Sequence, residues 1–393
     1  MTSEGSAGAP GPPVTGLERL AADPRMVEPV RTGLCTNYTA VTSDLRRGVD
    51  VLLAAGVELS CLFAPEHGYW GAVQAGDDVG DEVDARSGLP VIDTYKSDGD
   101  DLDRLVRESG VQQIIIDLQD IGTRFYTYTW TLFDLLCTAA RTGVRMVVLD
   151  RPNPLGGLRA GPGLDPQFSS FIGRVSIPLQ HGLTLGELAQ WFNAAHVPDH
   201  AGRAAQLDVI AVNAWDRSRT GALALPWIMP SPNMPSATTA TVYPATGLLE
   251  GTVMSEGRGT TRPFELFGAT WTSPELAAAL NDAALPGVRF REQVFRPTFS
   301  KGAGEVVRGV QLHLHDPQTF DPVATAITML ATIRALHPDE VLWRAASPGR
   351  PPFIDLLWGS AALREGIDDG AGMAEILTAS PSAPDVPADA VLY

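Results

Sequence analysis

Between residues 30 and 150 the chain alternates two hydrophobic periods, and this alternation limits its possible folds more than any other feature. Residues 31–36 read as a short strand. Ser43 and Asp44 then stand where caps belong, before Leu45, Val49, Leu52 and Leu53 on one helical face, with Gly56 as the stop. A strand is expected over 57–63. A helix over 100–108 stopped by Gly110 follows, then a buried strand over 111–116, a helix over 131–142 ended by Gly143, and a buried strand over 146–149. Strands alternating with helices of about 10 to 15 residues specify an α/β fold with a Rossmann-like parallel sheet covered on both faces.

That architecture locates function before any motif does. Ligands of an open parallel sheet sit beyond the carboxyl ends of its strands. Four such ends carry polar or Gly/Pro-rich sequence: Thr36-Asn37-Tyr38, Pro65-Glu66-His67-Gly68, the run from Asp117 through Asp120 to Arg124, and Asp150-Arg151-Pro152-Asn153-Pro154. They are expected to converge on one side of the sheet. Neither G-x-G-x-x-G after the first strand nor G-x-x-x-x-G-K-[ST] is present, so dinucleotides and nucleoside triphosphates lack their usual phosphate loops, and no cofactor is expected.

The second half is looser. Residues 156–166 read as a loop, Thr184 and Glu187 as a capping box for a helix to about residue 195, and 207–212 as a strand. Five prolines between 226 and 244 argue against a helix or central strand there and suggest a segment wrapping across the surface near the site. The remainder reads as a smaller α+β unit, with a strand over 309–315 and helices over 321–336 and 364–379. The expected organisation is a disordered lead-in over 1–16, a Rossmann-like catalytic domain over 17–240 and an auxiliary α+β domain over 241–393. A length of 393 residues with 44% hydrophobic content is enough for two cores.

A formal net charge of −17 argues against nucleic acid or an anionic membrane as partner. Cys35, Cys61 and Cys137 lie in apolar runs and read as buried thiols. No apolar stretch reaches the ~18 residues of a membrane span. The Gly/Pro/Ser/Ala-rich start shows no basic or apolar export region, so a cytoplasmic location is expected.

Taken together, the loops resemble the NamZ-type exo-β-N-acetylmuramidase family. The resemblance is carried by Pro65-Glu66-His67-Gly68, the block from Asp117 to Tyr128, Asp150-Arg151-Pro152-Asn153-Pro154, Ser231-Pro232-Asn233-Met234-Pro235 and the block from Ser255 to Phe264, in the same order over residues 17–377. It implies a Rossmann-like N-terminal domain, an auxiliary C-terminal domain, and release of N-acetylmuramic acid from the non-reducing end of peptidoglycan fragments such as MurNAc-GlcNAc. The family's proposed catalytic acid, the glutamate of this motif, falls on Glu66.

Glycoside hydrolysis needs an acid for the leaving oxygen and a second group for water or the anomeric carbon. Glu66 fits the acid if burial beside Leu62, Phe63 and Trp70 keeps it protonated; otherwise it caps a turn or pairs with an arginine. Asp117 and Asp120 are candidates for the second group or for orienting substrate, unless they only cap turns or hold Arg124. The substrate's own 2-acetamido oxygen is a further candidate. His67 and His181 could hydrogen-bond Glu66 or the sugar. A metal held by Glu66, His67, Asp120 and His181 lacks any usual ligand spacing. For the lactyl carboxylate of muramic acid the candidates are Arg124, Arg151, Arg258 and Arg262, although Arg151 and Arg258 could instead pair with Asp150 and Glu256. Tyr126, Tyr128 and Trp130 alternate on one face of an extended stretch, as sugar platforms or as core. Asn37, Asp150, Asn153, Asn233 and Glu256 complete the set of expected substrate contacts. The rival readings are a non-catalytic muropeptide-binding protein and a metal-dependent hydrolase.

Overall fold

The computed structural model describes residues 13–74, 76–77, 80, 82–218 and 225–393. The part of the expected lead-in over 1–12 lies outside them, whereas Val14 already bridges Asn213 and Thr15 caps the first helix. The lead-in therefore ends before residue 14.

Seven strands form the main sheet: β1 (Thr32–Thr36), β2 (Leu59–Ala64), β3 (Glu82–Val83), β4 (Pro90–Asp93), β5 (Gln113–Asp117), β6 (Arg145–Leu149) and β7 (Leu207–Ile210). Their spatial order is β3-β4-β2-β1-β5-β6-β7, and all neighbours are parallel except the short edge strand β3. Helices α1 (Gly16–Ala22) and α2 (Gly48–Ala54) cover one face, with Leu17, Leu20, Val49 and Leu52 packed on Leu34, Leu62, Ile115 and Val147. The other face, through Cys35, Phe63, Ile114, Ile116 and Val148, receives α3 (Gly99–Ser109), α4 (Tyr128–Thr142) and α5 (Leu185–Ala195), with the short α6 (Val197–Ala201) behind. Successive residues of each strand thus serve opposite faces, which is why the strands read as continuous apolar runs. The three cysteines are free and buried.

The C-terminal part contains α7 (Ala237–Thr246), an antiparallel sheet of order β8-β10-β9 built from β8 (Leu266–Ala269), β9 (Val288–Phe295) and β10 (Val307–Leu314), and helices α8 (Leu276–Asp282), α9 (Pro322–Leu336), α10 (Phe353–Trp358), α11 (Ala362–Asp369) and α12 (Met373–Ala379). One continuous cluster of buried side chains runs from the α3/α4/α5 face of the large sheet to Phe267, Val310 and Ile327. The two parts share a core.

Several local expectations change. The second helix starts at Gly48, because Ser43 bonds Glu18, Asp44 bonds Thr42 and Arg46, and Leu45 takes a left-handed φ of 67°. Pro244 lies inside α7, a helix capped by the Ser236 hydroxyl; the proline falls in its last turn, next to the 3-10 turn that follows. Residues 364–379 are two helices, divided at Gly370 with φ 71°.

Candidate active site

Strand order reverses between β1 and β5, with β2 and β4 added on one side of β1 and β5, β6 and β7 on the other, so the crevice at their carboxyl ends is the switch point of the parallel sheet. The four expected loops do meet on this side. Much of the crevice above β1 and β5 is bridged by the proline-rich segment: Tyr38 bonds the Met229 carbonyl, Tyr128 donates to the Pro230 carbonyl at 2.6 Å, and the Asn233 amide reaches Gln74 at 3.0 Å. Of the segment 226–244 expected to wrap near the site, residues 229–233 do so, whereas its end from Ala237 is helical; Asn37 supports the wrap by donating to the Tyr128 hydroxyl at 2.8 Å while its side-chain oxygen accepts from the Thr39 amide.

Glu66 follows β2 directly and is almost completely buried. Its Oε2 accepts from the Thr127 hydroxyl at 2.6 Å, whereas among the described residues Oε1 receives only a long 3.3 Å bond from the Gly76 amide. Among the described residues it neither caps a helix nor pairs with an arginine. Trp70 is half-exposed and lies edge-to-face against Tyr69 and under the Arg47 guanidinium. The apolar surroundings of Glu66 come instead from the buried strand β2 and from the Tyr126–Tyr128–Tyr243 ring cluster, with centroids 5.1 and 6.1 Å apart. Burial holds the Tyr243 phenol well above its usual range, and the charges of Glu250 and Glu66 add to the effect.

His67 is held in the left-handed region at φ 72°, a costly setting for a residue with a Cβ. Its Nδ1 lies 2.8 Å from the Val73 carbonyl, which can only accept, so Nδ1 carries the hydrogen and Nε2 of the neutral ring is an acceptor. Burial pushes the imidazole below its ordinary range, and neighbouring Glu66 opposes that shift. The neutral form is therefore favoured.

Both aspartates of the third loop are fully engaged. Asp117 forms a buried two-pronged pair with Arg151 at 2.5 and 3.0 Å, and Arg151 also donates to the Val41 carbonyl. Asp120 accepts from the Gly122 amide at 2.6 Å and the Thr129 hydroxyl at 3.2 Å, with His181 Nε2 at 3.2 Å. The Leu183 amide donates to His181 Nδ1, which leaves the hydrogen on Nε2 to point at Asp120. Asp117, Asp120, Arg151 and His181 are thus tied to one another and to the loops that carry them.

Other expected contacts also bond within the protein. Asp150 accepts from Gly186, Arg151, Thr184 and the Tyr393 hydroxyl, and burial pushes its carboxyl up to about 6. Asn153 bonds the Leu183 carbonyl and the Leu155 amide. Arg124 is completely enclosed; its guanidinium donates to four main-chain carbonyls, those of Pro162, Ile177, Leu357 and Trp358, and burial drags it down to about 9. It has no surface to offer a ligand. Arg262 is half-exposed and pairs with Glu265. Tyr128 and Trp130 belong to α4 rather than an extended stretch, with Trp130 stacked on Phe192 and donating to the Arg124 carbonyl.

Beside Glu66 and His67 the C-terminal part contributes a charged wall. Glu256 meets Arg258 at 2.9 Å and Lys301 at 2.9 Å, and Glu250 meets Arg258 at 3.2 Å. These opposing charges hold Glu256 low and Arg258 high despite burial, whereas burial outweighs them at Lys301 and lowers it. Of these, Arg258 and Glu250 act on the His67 imidazole, Arg258 lowering it and Glu250 raising it. Together with Gln74 and Arg344 they line an open pocket. Glu250, Lys301 and Arg344 carried no motif signal in the sequence, and Thr127 lies within the Asp117–Tyr128 block without a signal of its own. Among the described residues, no group of three or more His, Cys, Asp or Glu side chains is placed to hold a metal ion, and no helix is long and apolar enough to cross a membrane.

Comparison with known proteins agrees with this arrangement. The family model for the N-terminal part of the exo-β-N-acetylmuramidase NamZ matches residues 32–238, and the model for its C-terminal part matches residues 241–383. The peptidoglycan β-N-acetylmuramidase NamZ of Bacillus subtilis (strain 168) is 41% identical over 368 residues, covering 92% of this chain and 86% of that protein. Crystal structures of two DUF1343 family proteins from Bacteroides fragilis NCTC 9343 superpose with TM-scores of 0.83 and 0.74, at 33% and 27% identity, covering 93% and 94% of both chains.

Proposed function

Since this chain belongs to the NamZ exo-β-N-acetylmuramidase family, we propose that Glu66 is the general acid with which it cleaves the bond after a non-reducing N-acetylmuramic acid. The chain is a glycoside hydrolase, an exo-acting β-N-acetylmuramidase. Its substrates in this reading are peptidoglycan fragments ending in MurNAc-GlcNAc.

The observation that carries the reading is the unequal bonding of the two Glu66 oxygens. Thr127 fixes Oε2 at 2.6 Å and thereby sets the carboxyl plane, while Oε1 is only weakly engaged and is free to hold a proton and deliver it. As the glycosidic bond lengthens, the leaving oxygen takes that proton and Oε1 becomes anionic, steadied by the Thr127 hydroxyl and the Gly76 amide. His67 Nε2 accepts a sugar hydroxyl, and the tyrosine cluster keeps water from the carboxyl. With Asp117 and Asp120 fully engaged, the anomeric carbon is attacked by the substrate's own 2-acetamido oxygen, and water then opens the cyclic intermediate. A cytoplasmic site of action on imported muropeptides completes the reading and is checked by cell fractionation.

The test is turnover of MurNAc-GlcNAc by the wild type and by Glu66→Gln, with calorimetric binding of the disaccharide to both. Lost turnover with binding kept is the expected result. A Glu66→Gln enzyme that turns over normally contradicts the assignment, and a wild type that binds without turnover leaves only a binding protein.

A further inference from the structure

We propose that Arg344 is the receptor for the lactyl carboxylate, the group that distinguishes muramic acid from N-acetylglucosamine; this rests on the substrate reading above. The wall pocket holds three cations, Arg258, Lys301 and Arg344, and two anions, Glu250 and Glu256. Arg258 is held between both glutamates, and Lys301 is held by Glu256 together with the Leu249 carbonyl at 2.9 Å. The two glutamates therefore neutralise two cations and leave one positive charge over. That charge belongs to Arg344, which is exposed and makes no ion pair with any described residue.

Arg344 is nevertheless held in place. Its backbone amide donates to the Gly251 carbonyl at 2.9 Å, one residue beyond Glu250, and its guanidinium lies 5.4 Å over the Phe353 ring. A guanidinium stacked on an aromatic face keeps its edge N–H donors available and in plane, the geometry that binds a carboxylate through two parallel bonds. The pocket joins the reacting centre through Gln74, on the same loop as the Gly76 amide that bonds Glu66. A sugar with its glycosidic oxygen at Glu66 thus extends its 3-O-lactyl arm toward Arg344. The other arginines considered for this task are enclosed, as Arg124 is, or paired with Asp117, Glu256 or Glu265.

The test compares inhibition by N-acetylmuramic acid with inhibition by its methyl ester, which keeps the shape and removes the charge, in the wild type, Arg344→Ala and Arg344→Lys. Calorimetric binding of the same two compounds accompanies it. The wild type is expected to prefer the acid by roughly ten- to a hundredfold, Arg344→Ala to lose that preference, and Arg344→Lys to keep part of it. Each ratio is taken within one variant, so a general loss of activity does not affect it. A preference kept in Arg344→Ala, or absent from a wild type that hydrolyses a muramide, overturns the assignment of Arg344. A wild type that hydrolyses no muramide overturns instead the substrate reading on which it rests.

Discussion

Replacing Arg124 by methionine separates an arginine that holds the fold from one that holds a substrate. In the structure its guanidinium donates to the carbonyls of Pro162, Ile177, Leu357 and Trp358 at 2.7, 2.9, 3.2 and 2.6 Å. Methionine fills much of the same space and donates nothing, so the carbonyls of Ile177, Leu357 and Trp358 are orphaned at about 1–3 kcal/mol each, or about 6 kcal/mol together, while that of Pro162 keeps the Leu179 amide. Against this stands relief from burying a cation. Burial drags Arg124 from 12.5 to about 9, a difference equivalent to about 5 kcal/mol. The net expected loss is about 1 kcal/mol. Urea unfolding followed by circular dichroism reads the stability, and KM for a chromogenic β-N-acetylmuramide, measured well below the transition, reads binding. The unfolding midpoint is expected to fall while KM stays within about twofold of wild type. An unchanged midpoint with KM raised roughly tenfold would refute the reasoning and return Arg124 to the substrate pocket.

Asp150→Asn tests the buried carboxyl that anchors Tyr393. An acid raised from 3.8 to about 6 in the folded state binds more protons folded than unfolded, so its contribution to stability falls as pH rises from 4 to 6 and is constant above. Wild-type stability minus that of Asp150→Asn should therefore drop by about 2 kcal/mol between pH 4 and pH 7 in paired urea titrations, and a pH-independent difference would contradict it. Thr127→Val removes the hydroxyl that orients Glu66; kcat on MurNAc-GlcNAc should fall about tenfold with KM unchanged, and a change confined to KM would show that Thr127 acts on substrate binding instead.

The parallel sheet was legible because its buried strands are short unbroken runs such as Ile114, Ile115 and Ile116, punctuated by Gly110 and Gly143 at the helix ends. Glu66 was legible for a related reason: a carboxyl and an imidazole directly after an apolar strand fall at the ligand-binding edge by topology alone. The roles of the arginines were not legible. Arg151 finds Asp117 34 residues away, and Arg124 finds Leu357 and Trp358 more than 200 residues away, so nothing local distinguishes a guanidinium facing a cleft from one facing carbonyls. Tyr126, Tyr128 and Trp130 alternate with threonines as a strand would, yet the last two sit on a helix buried on nearly every side, where amphipathic periodicity disappears. Pro244 misled for a similar reason, since α7 is held by its surroundings more than by propensity. The wall of Glu250, Glu256, Arg258, Lys301 and Arg344 is assembled from separated loops and exists only once the chain folds.

The central claim is that Glu66 donates a proton to the leaving oxygen, and its sharpest test varies the leaving group. Turnover by wild type and Glu66→Gln should be compared on MurNAc-GlcNAc, whose sugar alkoxide needs protonation, and on a nitrophenyl β-N-acetylmuramide, whose phenolate does not. The account predicts a loss of about 10²–10⁴ in kcat on the disaccharide and a far smaller loss on the nitrophenyl substrate. Equal losses on both substrates, or a disaccharide rate within about tenfold of wild type, would contradict it.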